Sequence, residues 1–546
     1  MFNLYDARHS CRCSGFEEGI GVTLSGLISD KAMVAPEQGC LIDGDRTLTY
    51  AEAARAVEQT TAALVSLGIS AGDRVGVHFN KSADGFIAMH AAVSAGAVAV
   101  PLDPGSPASR LARICDQMQI SVVLSHAPRR KSLEAIHGIH RLRAVIGLDL
   151  DLDGCVALGP EDVRSHDGRP PVKVESTDLA YIVTTSGSTG EPKGISHTHE
   201  SGRAYGEMTL RTYDLGSSDR VADISPHHFD ISTFSLWSTP LAGATNVVVN
   251  EAYQRLPASH SQLLADRAVT IWYSVPFLIQ QLVLRGDLDN RDLSALRWVH
   301  FGGEVIPSET IGAMMRHCPN ARFANIFGPA EVNQVTLAIF DSPPPTDVPL
   351  SIGRPLDNST IRLIDPGESK PLLKNVVAAG EVGEMWAATP QLMKGYWHRD
   401  ELNREVLKSV DGQTFYRTGD LVSANESGEM SFHGRVDHQV KVRGFRIELE
   451  GIEVDLETLV QRMGTAENVV VAVHRRESGE DEIIAGVLGG SSSFDEAEFL
   501  RAAASVVPTY AVPTTTVRLS STAFTGSGKL DRRVLREQAV ELVEEM

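Results

Sequence analysis

Between Leu179 and Gly194 the chain reads LAYIVTTSGSTGEPKG, an apolar strand pattern (Leu179 to Val183) running straight into a loop of small residues. Thr184, Thr185, Ser186, Gly187, Ser188, Thr189 and Gly190 crowd hydroxyls and free amides together, and Lys193 follows behind Pro192. Glycine lets the backbone approach a ligand, and clustered amide and hydroxyl donors suit a polyphosphate. The lysine adds a point charge for the same anion. The spacing is not that of a P-loop, in which Gly, four residues and Gly-Lys-Ser/Thr open a helix. Nor is it that of a flexible linker, which seldom follows a buried strand directly.

Further groups able to do chemistry stand downstream in a fixed order. Gly302-Gly303-Glu304 forms a tight turn ending in an acid. Asn325-Ile326-Phe327-Gly328-Pro329-Ala330-Glu331 sets an aromatic ring, a turn and a carboxylate together. In Phe415-Tyr416-Arg417-Thr418-Gly419-Asp420-Leu421 an acid after a glycine suits a pair of ribose hydroxyls. Gly434-Arg435-Val436-Asp437 leads into the charged run up to Arg443-Gly444, and Gly526-Ser527-Gly528-Lys529-Leu530-Asp531 closes the series.

The elements that must position these groups alternate. β-rich runs (Val75 to Phe79, Ala97 to Leu102, Ser121 to Ser125, Val221 to Ser225, Asn246 to Val249, Thr270 to Val275, Trp298 to Phe301) are separated by helical patterns such as Tyr50 to Leu67. The alternation predicts an α/β fold with largely parallel sheets. At 546 residues the chain exceeds a single core. The pattern restarts near Asp437, which predicts residues 1–436 as a large N-terminal domain and 437–546 as a small α+β C-terminal domain. A net charge of −20 argues against nucleic acid as the main partner. With 42% hydrophobic residues and a mean hydropathy of −0.08, the chain reads as a globular protein. There is no signal-peptide core and no run of about 18 apolar residues, so no membrane association is expected and the cytoplasm is the expected location. Six scattered cysteines, including the Cys11-x-Cys13 pair, lack metal-ligand spacing and read as free thiols.

Taken together these motifs resemble the adenylate-forming superfamily, and within it the adenylation domains of nonribosomal peptide synthesis. The resemblance runs from Leu48-Thr49-Tyr50 through Gly96 to Pro104 and on to Lys529. It implies an enzyme, a ligase, in which a substrate carboxylate attacks the α-phosphate of ATP, pyrophosphate leaves and an acyl-adenylate remains. Catalysis then rests on positioning and charge neutralisation. By the same resemblance Lys529 is the catalytic lysine, the loop Thr185 to Gly190 with Lys193 holds the β- and γ-phosphates, and Glu331 binds Mg²⁺. Asp420 holds the ribose, Arg435 sits near ribose or phosphate, Phe327 stacks on adenine, and Gly302, Gly303 and Glu304 form part of the adenine slot. Asp437 is the hinge of a mobile C-terminal domain that presents first Lys529 and then the Arg443-Gly444 side.

Substrate class turns on Pro226-His227-His228-Phe229-Asp230-Ile231-Ser232. An aspartate amid apolar neighbours is costly to bury without a cation, and in amino-acid-activating members this position pairs with the substrate ammonium. Carried over by motif, the side-chain pocket is Asp230, Ile231, Phe234, Phe277, Val299, Phe301, Ile326, Gln334 and Val335. Its bulk and low polarity imply a small neutral amino acid, alanine first, then glycine or serine. A larger apolar or β-amino acid and an acyl-CoA ligase using free CoA are the alternatives, and an adenylate-binding module without turnover is opposed by Lys529. Ala330, Phe327 and Ser527 depart from the commoner Thr, Tyr and Asn. Leu488-Gly489-Gly490-Ser491 reads as a turn rather than a carrier attachment site. With no room for a carrier domain after Lys529, the expected partner is a separate carrier protein, met by a basic patch of Arg435, Lys441, Arg443 and Arg446.

Overall fold

Valine- and isoleucine-rich runs that alternate with helices become the inner strands of two large sheets, buried on both faces as a parallel sheet demands. The structure, a computed structural model, describes residues 23–546 except 186, 188–189, 347, 367–375, 411, 438, 467, 477–479, 490–493, 520–522 and 524–529. Cys11, Cys13, Gly490, Ser491, Ser527 and Lys529 therefore lie outside the described residues, as do Ser186, Ser188 and Thr189.

One sheet has eight strands. Leu179–Thr185 lies beside Val98–Pro101, followed by Arg74–His78, Val122–Ser125, Ala144–Ile146 and Val156–Leu158, all parallel. Lys193–Thr198 folds back antiparallel on Leu179–Thr185, so the small-residue loop is the hairpin between them. The second sheet has nine strands, with Thr245–Val248, Arg220–Asp223, Ile271–Ser274, Trp298–Gly302 and Arg322–Phe327 parallel at its centre. The strands foreseen from the sequence lie within a residue or two of these bounds. So does the helix Tyr50–Ser66, whose start is fixed by a capping box: Glu52 N donates to Thr49 Oγ1 at 3.2 Å and Thr49 N to Glu52 Oε2 at 2.8 Å. Ala53, Val57 and Leu64 then recur at helical spacing and are buried.

A third, antiparallel sheet includes Val382–Ala388, Gln413–Ala424 and Met430–Arg435. After Arg435 the chain builds separate sheets: the hairpin Gln439–Val442/Phe445–Glu448, and Asn468–Arg475, Asp481–Leu488 and Thr515–Leu519 packed on the helices Leu449–Met463 and Arg532–Glu544. Their apolar residues form cores of their own. This is the α/β architecture with a smaller C-terminal domain that the sequence implied.

The two large sheets are tied at their carboxyl ends by one buried ion pair. Lys81, just beyond Arg74–His78, donates to Asp223 Oδ1 at 2.5 Å, and both side chains are at most 1% exposed. Glu251 accepts from Lys81 N at 3.1 Å. Burial pulls the Lys81 ammonium below its ordinary value, while Asp223 works against the fall. Removing one partner of such a pair strands the other. Lys81→Met is expected to cost about 3–5 kcal/mol in chemical denaturation, with most of it recovered in Lys81→Met/Asp223→Leu.

Candidate active site

The carboxyl ends of the central strands open on one cleft, where ligands bind in open α/β sheets. Ile271–Ser274 leads to Val275, Trp298–Gly302 to Gly303 and Glu304, and Arg322–Phe327 to Pro329 and Glu331. Gly302 needs to lack a side chain, since a Cβ there would lie 2.1 Å from the Ile326 carbonyl of the neighbouring strand. Asp420 enters from the third sheet, where it is paired in register with Arg435.

The cleft is closed by the Gln439–Glu448 hairpin. Its turn, Arg443-Gly444, presses on Val275, and Gly444 has a φ of +85° with a Cβ position only 2.9 Å from Val275 Cγ1. Gly444 N donates to Glu304 Oε1 at 2.5 Å. Phe445 stacks on Tyr510 at 4.1 Å and meets Phe229 edge-on at 5.1 Å, joining the hairpin to the loop that carries Asp230. The structure therefore holds the Arg443-Gly444 side against the site.

Three cations, Lys441 and Arg446 on the hairpin and Arg435 just before it, face the buried Glu331 and Asp420 and the half-buried Asp230. Arg446 Nη1 donates to Glu331 at 2.8 and 3.0 Å, and Tyr396 Oη donates to Glu331 Oε1 at 2.7 Å. Burial alone would push the Glu331 carboxyl up, but the charge and hydrogen bonds of Arg446, with Tyr396, hold it down at about 2. Arg435 bridges Asp420 and Asp437, the latter at 2.6 and 2.8 Å. Lys441 lies between Asp420 and Asp230, and burial lowers its ammonium while both acids raise it. Lys441 and Arg446, expected with Arg435 as a surface patch for a partner, thus face the cleft, because the hairpin that carries them is inserted there, and Arg435 reaches the same cleft from the third sheet. Of the four, Arg443 alone borders the outer cavities without lining the inner one.

Glu331 is a cation site, and Arg446 fills it here. A hard metal ion, which favours carboxylate oxygen, fits the same atoms only with Arg446 withdrawn. Lys193 is likewise engaged, with Glu448 Oε1 at 3.3 Å. Gly187 and Gly190 pack on the helix Leu449–Met463: a Cβ on Gly451 would lie 2.4 Å from the Gly187 carbonyl, and one on Gly190 would lie 3.2 Å from Val454. Thr185 ends its strand at the cleft.

Two cavities meet under the hairpin. The outer one, of about 410 Å³, is walled by Phe327, Gly303, Glu304, Asp420 and Arg435, the residues expected around a nucleotide, and by Phe277. The inner one is only about 100 Å³ and is lined by Asp230, Ile231, Ile326 and Gln334, joined by Tyr205, Tyr273 and Asn333. Burial raises the Asp230 carboxyl, with Lys441 the largest opposing charge.

The pocket inferred from the sequence needs correcting at five positions. Val299 and Phe301 are fully buried on the far side of their strand, against Trp272, Ile279 and Phe323. Side chains alternate along a strand, so it is His300 and Gly302 that face the cleft side. His300 lies against Tyr213, with ring centroids 4.1 Å apart and the planes tilted by 41°, and sits beside Phe234 and Tyr273. Phe234 lies beneath the pocket, edge-on to Tyr273 at 5.7 Å, and Val335 packs with Ile195 and Met385. Phe277 borders the outer cavities instead of the inner one. Tyr205, Tyr273 and Asn333 went unnoticed: the alternation of Ile271–Ser274 could have pointed to Tyr273, but nothing local marks Tyr205 on its helix. Ala330 packs in an apolar cluster with Ile195 and Val332, a setting that asks for no hydroxyl.

A family model described as AMP-binding enzyme matches residues 28–397. The chain belongs to the AMP-binding enzymes. It is an adenylate-forming enzyme of the ligase class. Over 506 residues it is 32% identical to a linear gramicidin synthase of Brevibacillus parabrevis, covering 92% of this chain and 6% of that protein. It is 29% identical over 531 residues to syringomycin synthase SyrB1 of Pseudomonas syringae pv. syringae, covering 95% of this chain and 82% of the relative. Against two further relatives the chain spans 40% and 41% of their length. The fold matches NpsA-ThdA, an artificially fused adenylation-PCP di-domain from Klebsiella oxytoca, with a TM-score of 0.76 and 20% identity over 91% of this chain and 94% of that one. Among the described residues no helix is long and apolar enough to cross a membrane.

Competition for Glu331 has a measurable consequence. Arg446→Met leaves a charged, buried carboxylate and is expected to lower stability by about 3 kcal/mol, with Mg²⁺ restoring part of the loss. Thermal melts with and without Mg²⁺ check this, and a variant insensitive to the metal would separate Glu331 from metal binding.

Proposed function

We propose that the protein activates a small neutral amino acid with ATP and Mg²⁺ and then passes the aminoacyl group to the phosphopantetheine thiol of a carrier protein. One observation carries the reading: a half-buried aspartate, Asp230, in a small cavity that opens on a nucleotide-sized one. A carboxylate in that position asks for a cation. In the closed arrangement Lys441 of the hairpin is the largest opposing charge near it, and a substrate ammonium would pair with it otherwise. The names of the gramicidin and syringomycin synthases agree with an amino-acid substrate.

In the first step a substrate carboxylate oxygen bonds to the α-phosphorus and pyrophosphate departs. Thr185, the loop to Gly190 and Lys193 would hold the phosphates, Phe327 the adenine and Asp420 the ribose. Glu331 would hold Mg²⁺, which neutralises phosphate charge. Lys529, outside the described residues, would bridge the carboxylate and α-phosphate. In the second step the thiol sulfur, having lost its proton, bonds to the acyl carbon and AMP leaves. Its access is supported by a third cavity of about 360 Å³ beside Gly444, walled by Phe229, Val275, Phe277 and Phe445, with Arg255 and Arg285 at its rim. Asp437, half-exposed and held by Arg435, is the proposed hinge between the two arrangements.

Amino-acid-dependent ATP–pyrophosphate exchange tests the reading, with fatty and aryl acids as the contrast. Asp230→Ala should lose exchange by roughly 10²-fold or more while retaining ATP binding, on the scale of losing a charge-assisted contact. Lys529→Ala should abolish exchange; turnover at the wild-type rate would remove the lysine from the chemistry. Because Asp230 is raised by burial, its carboxylate protonates at higher pH than an exposed aspartate. The KM for the amino acid should therefore climb as pH falls through that value, and Asp230→Asn should flatten the profile. Gly444→Val, whose side chain would collide with Val275, should impair transfer to the thiol far more than exchange.

A further inference from the structure

Two side chains that line the inner cavity each carry a polar atom with no hydrogen-bond partner among the described residues. Gln334 is 2% exposed; its Nε2 donates to Tyr213 Oη at 2.6 Å, and its carbonyl Oε1 has no hydrogen-bond partner. Asn333, 8% exposed, accepts from Thr233 Oγ1 at 3.5 Å through Oδ1, and its Nδ2 has none. The Tyr181 hydroxyl lies near Asn333 but makes no well-formed hydrogen bond with it. Asn333 has a φ of +53°, a left-handed backbone that asparagine tolerates better than most residues. Both side chains line the same cavity as Asp230.

A buried acceptor and a buried donor left unmet side by side are unfavourable unless a ligand meets them. A hydroxyl does both, donating one hydrogen bond and accepting another. Among the other walls Ile231 and Ile326 are hydrocarbon, and with Lys441 and Arg446 of the inserted hairpin also lining it the cavity measures about 100 Å³. Two carboxylates reach this cavity, and neither is free for a cationic side chain. Asp230 is assigned to the substrate ammonium, and Asp420 is held by Arg435.

We infer that the site selects an α-amino acid with a short hydroxylated side chain, of the serine or threonine kind, with Gln334 Oε1 accepting from that hydroxyl and Asn333 Nδ2 donating to it. This rests on the reading of Asp230 as the ammonium partner. It shifts the preferred substrate from alanine, the first choice on residue types alone, to its hydroxylated neighbours. Gln334 and Asn333 are then specificity-determining residues.

Pyrophosphate exchange with near-isosteric pairs tests it: serine against alanine, and threonine against valine and 2-aminobutyrate. A site built around a hydroxyl discriminates strongly against the analogue lacking it, and one hydroxylated member is expected to lead its partner in kcat/KM by about 100-fold or more. Gln334→Met, close in volume but without the acceptor, should collapse that ratio to within about tenfold. Alanine or valine equal to or better than the hydroxylated partner overturns the inference and leaves amino-acid activation standing. A carboxamide or β-amino acid as the best substrate overturns it in the same way. Exchange with fatty or aryl acids alone overturns the ammonium reading itself. An undiminished ratio in Gln334→Met removes Gln334 from the recognition.

Discussion

Everything in the cleft depends on how buried carboxylates find cations. Asp230, Glu331 and Asp420 converge from three different segments on a site that excludes most water, and a charge so placed is stable only when paired. In the closed arrangement the partners come from one short stretch, Arg435, Lys441 and Arg446. The hairpin is therefore more than a lid: its insertion is held by the same charges that the site needs for its ligands.

That sharing makes the proposed alternation energetically accessible. If the hairpin withdrew from an empty site, it would strand Glu331 and take the nearest cation away from Asp230, while Asp420 would keep Arg435 of its own sheet. If it withdraws as substrate ammonium and metal arrive, those two carboxylates each exchange one partner for another. The difference between two satisfied states is small compared with the loss of any one pair. The same logic gives order to the two steps. If Glu331 holds the metal as proposed, it cannot serve Arg446 at the same time, so insertion of the hairpin and binding of the metal would exclude one another.

Much of this was legible in the sequence because the nucleotide-side groups lie in contiguous motifs whose local geometry is set by glycine turns at strand ends. Thr185, Gly303, Phe327 and Asp420 all stand at the cleft. The amino-acid pocket was less legible for two distinct reasons. Val299 and Phe301 were taken from the wrong face of a strand, and a shift of one residue reverses every side chain. Tyr205 reaches the pocket from a helix distant in sequence, and only tertiary packing shows that. Lys441 and Arg446 were read as surface charges because composition cannot say which side of a hairpin meets the protein. Where charged residues crowd a short segment, the deciding question is whether buried acids wait opposite.

The division of labour between the two parts of the molecule follows from rigidity. Ile326, Asn333 and Gln334 belong to the large domain's central strand and the turn after it, backed by the packed rings of Tyr213, Phe234 and His300. A side-chain pocket needs walls that do not move when the hairpin does, because discrimination between substrates differing by one hydroxyl depends on fixed donors and acceptors. The hairpin, by contrast, carries Lys441 and Arg446, long side chains suited to exchanging partners, and places a glycine where it touches Val275. On the proposed reading, selectivity resides on the rigid sheet and exchange of charge on the smaller domain, and residues between them such as Asp230 answer to both.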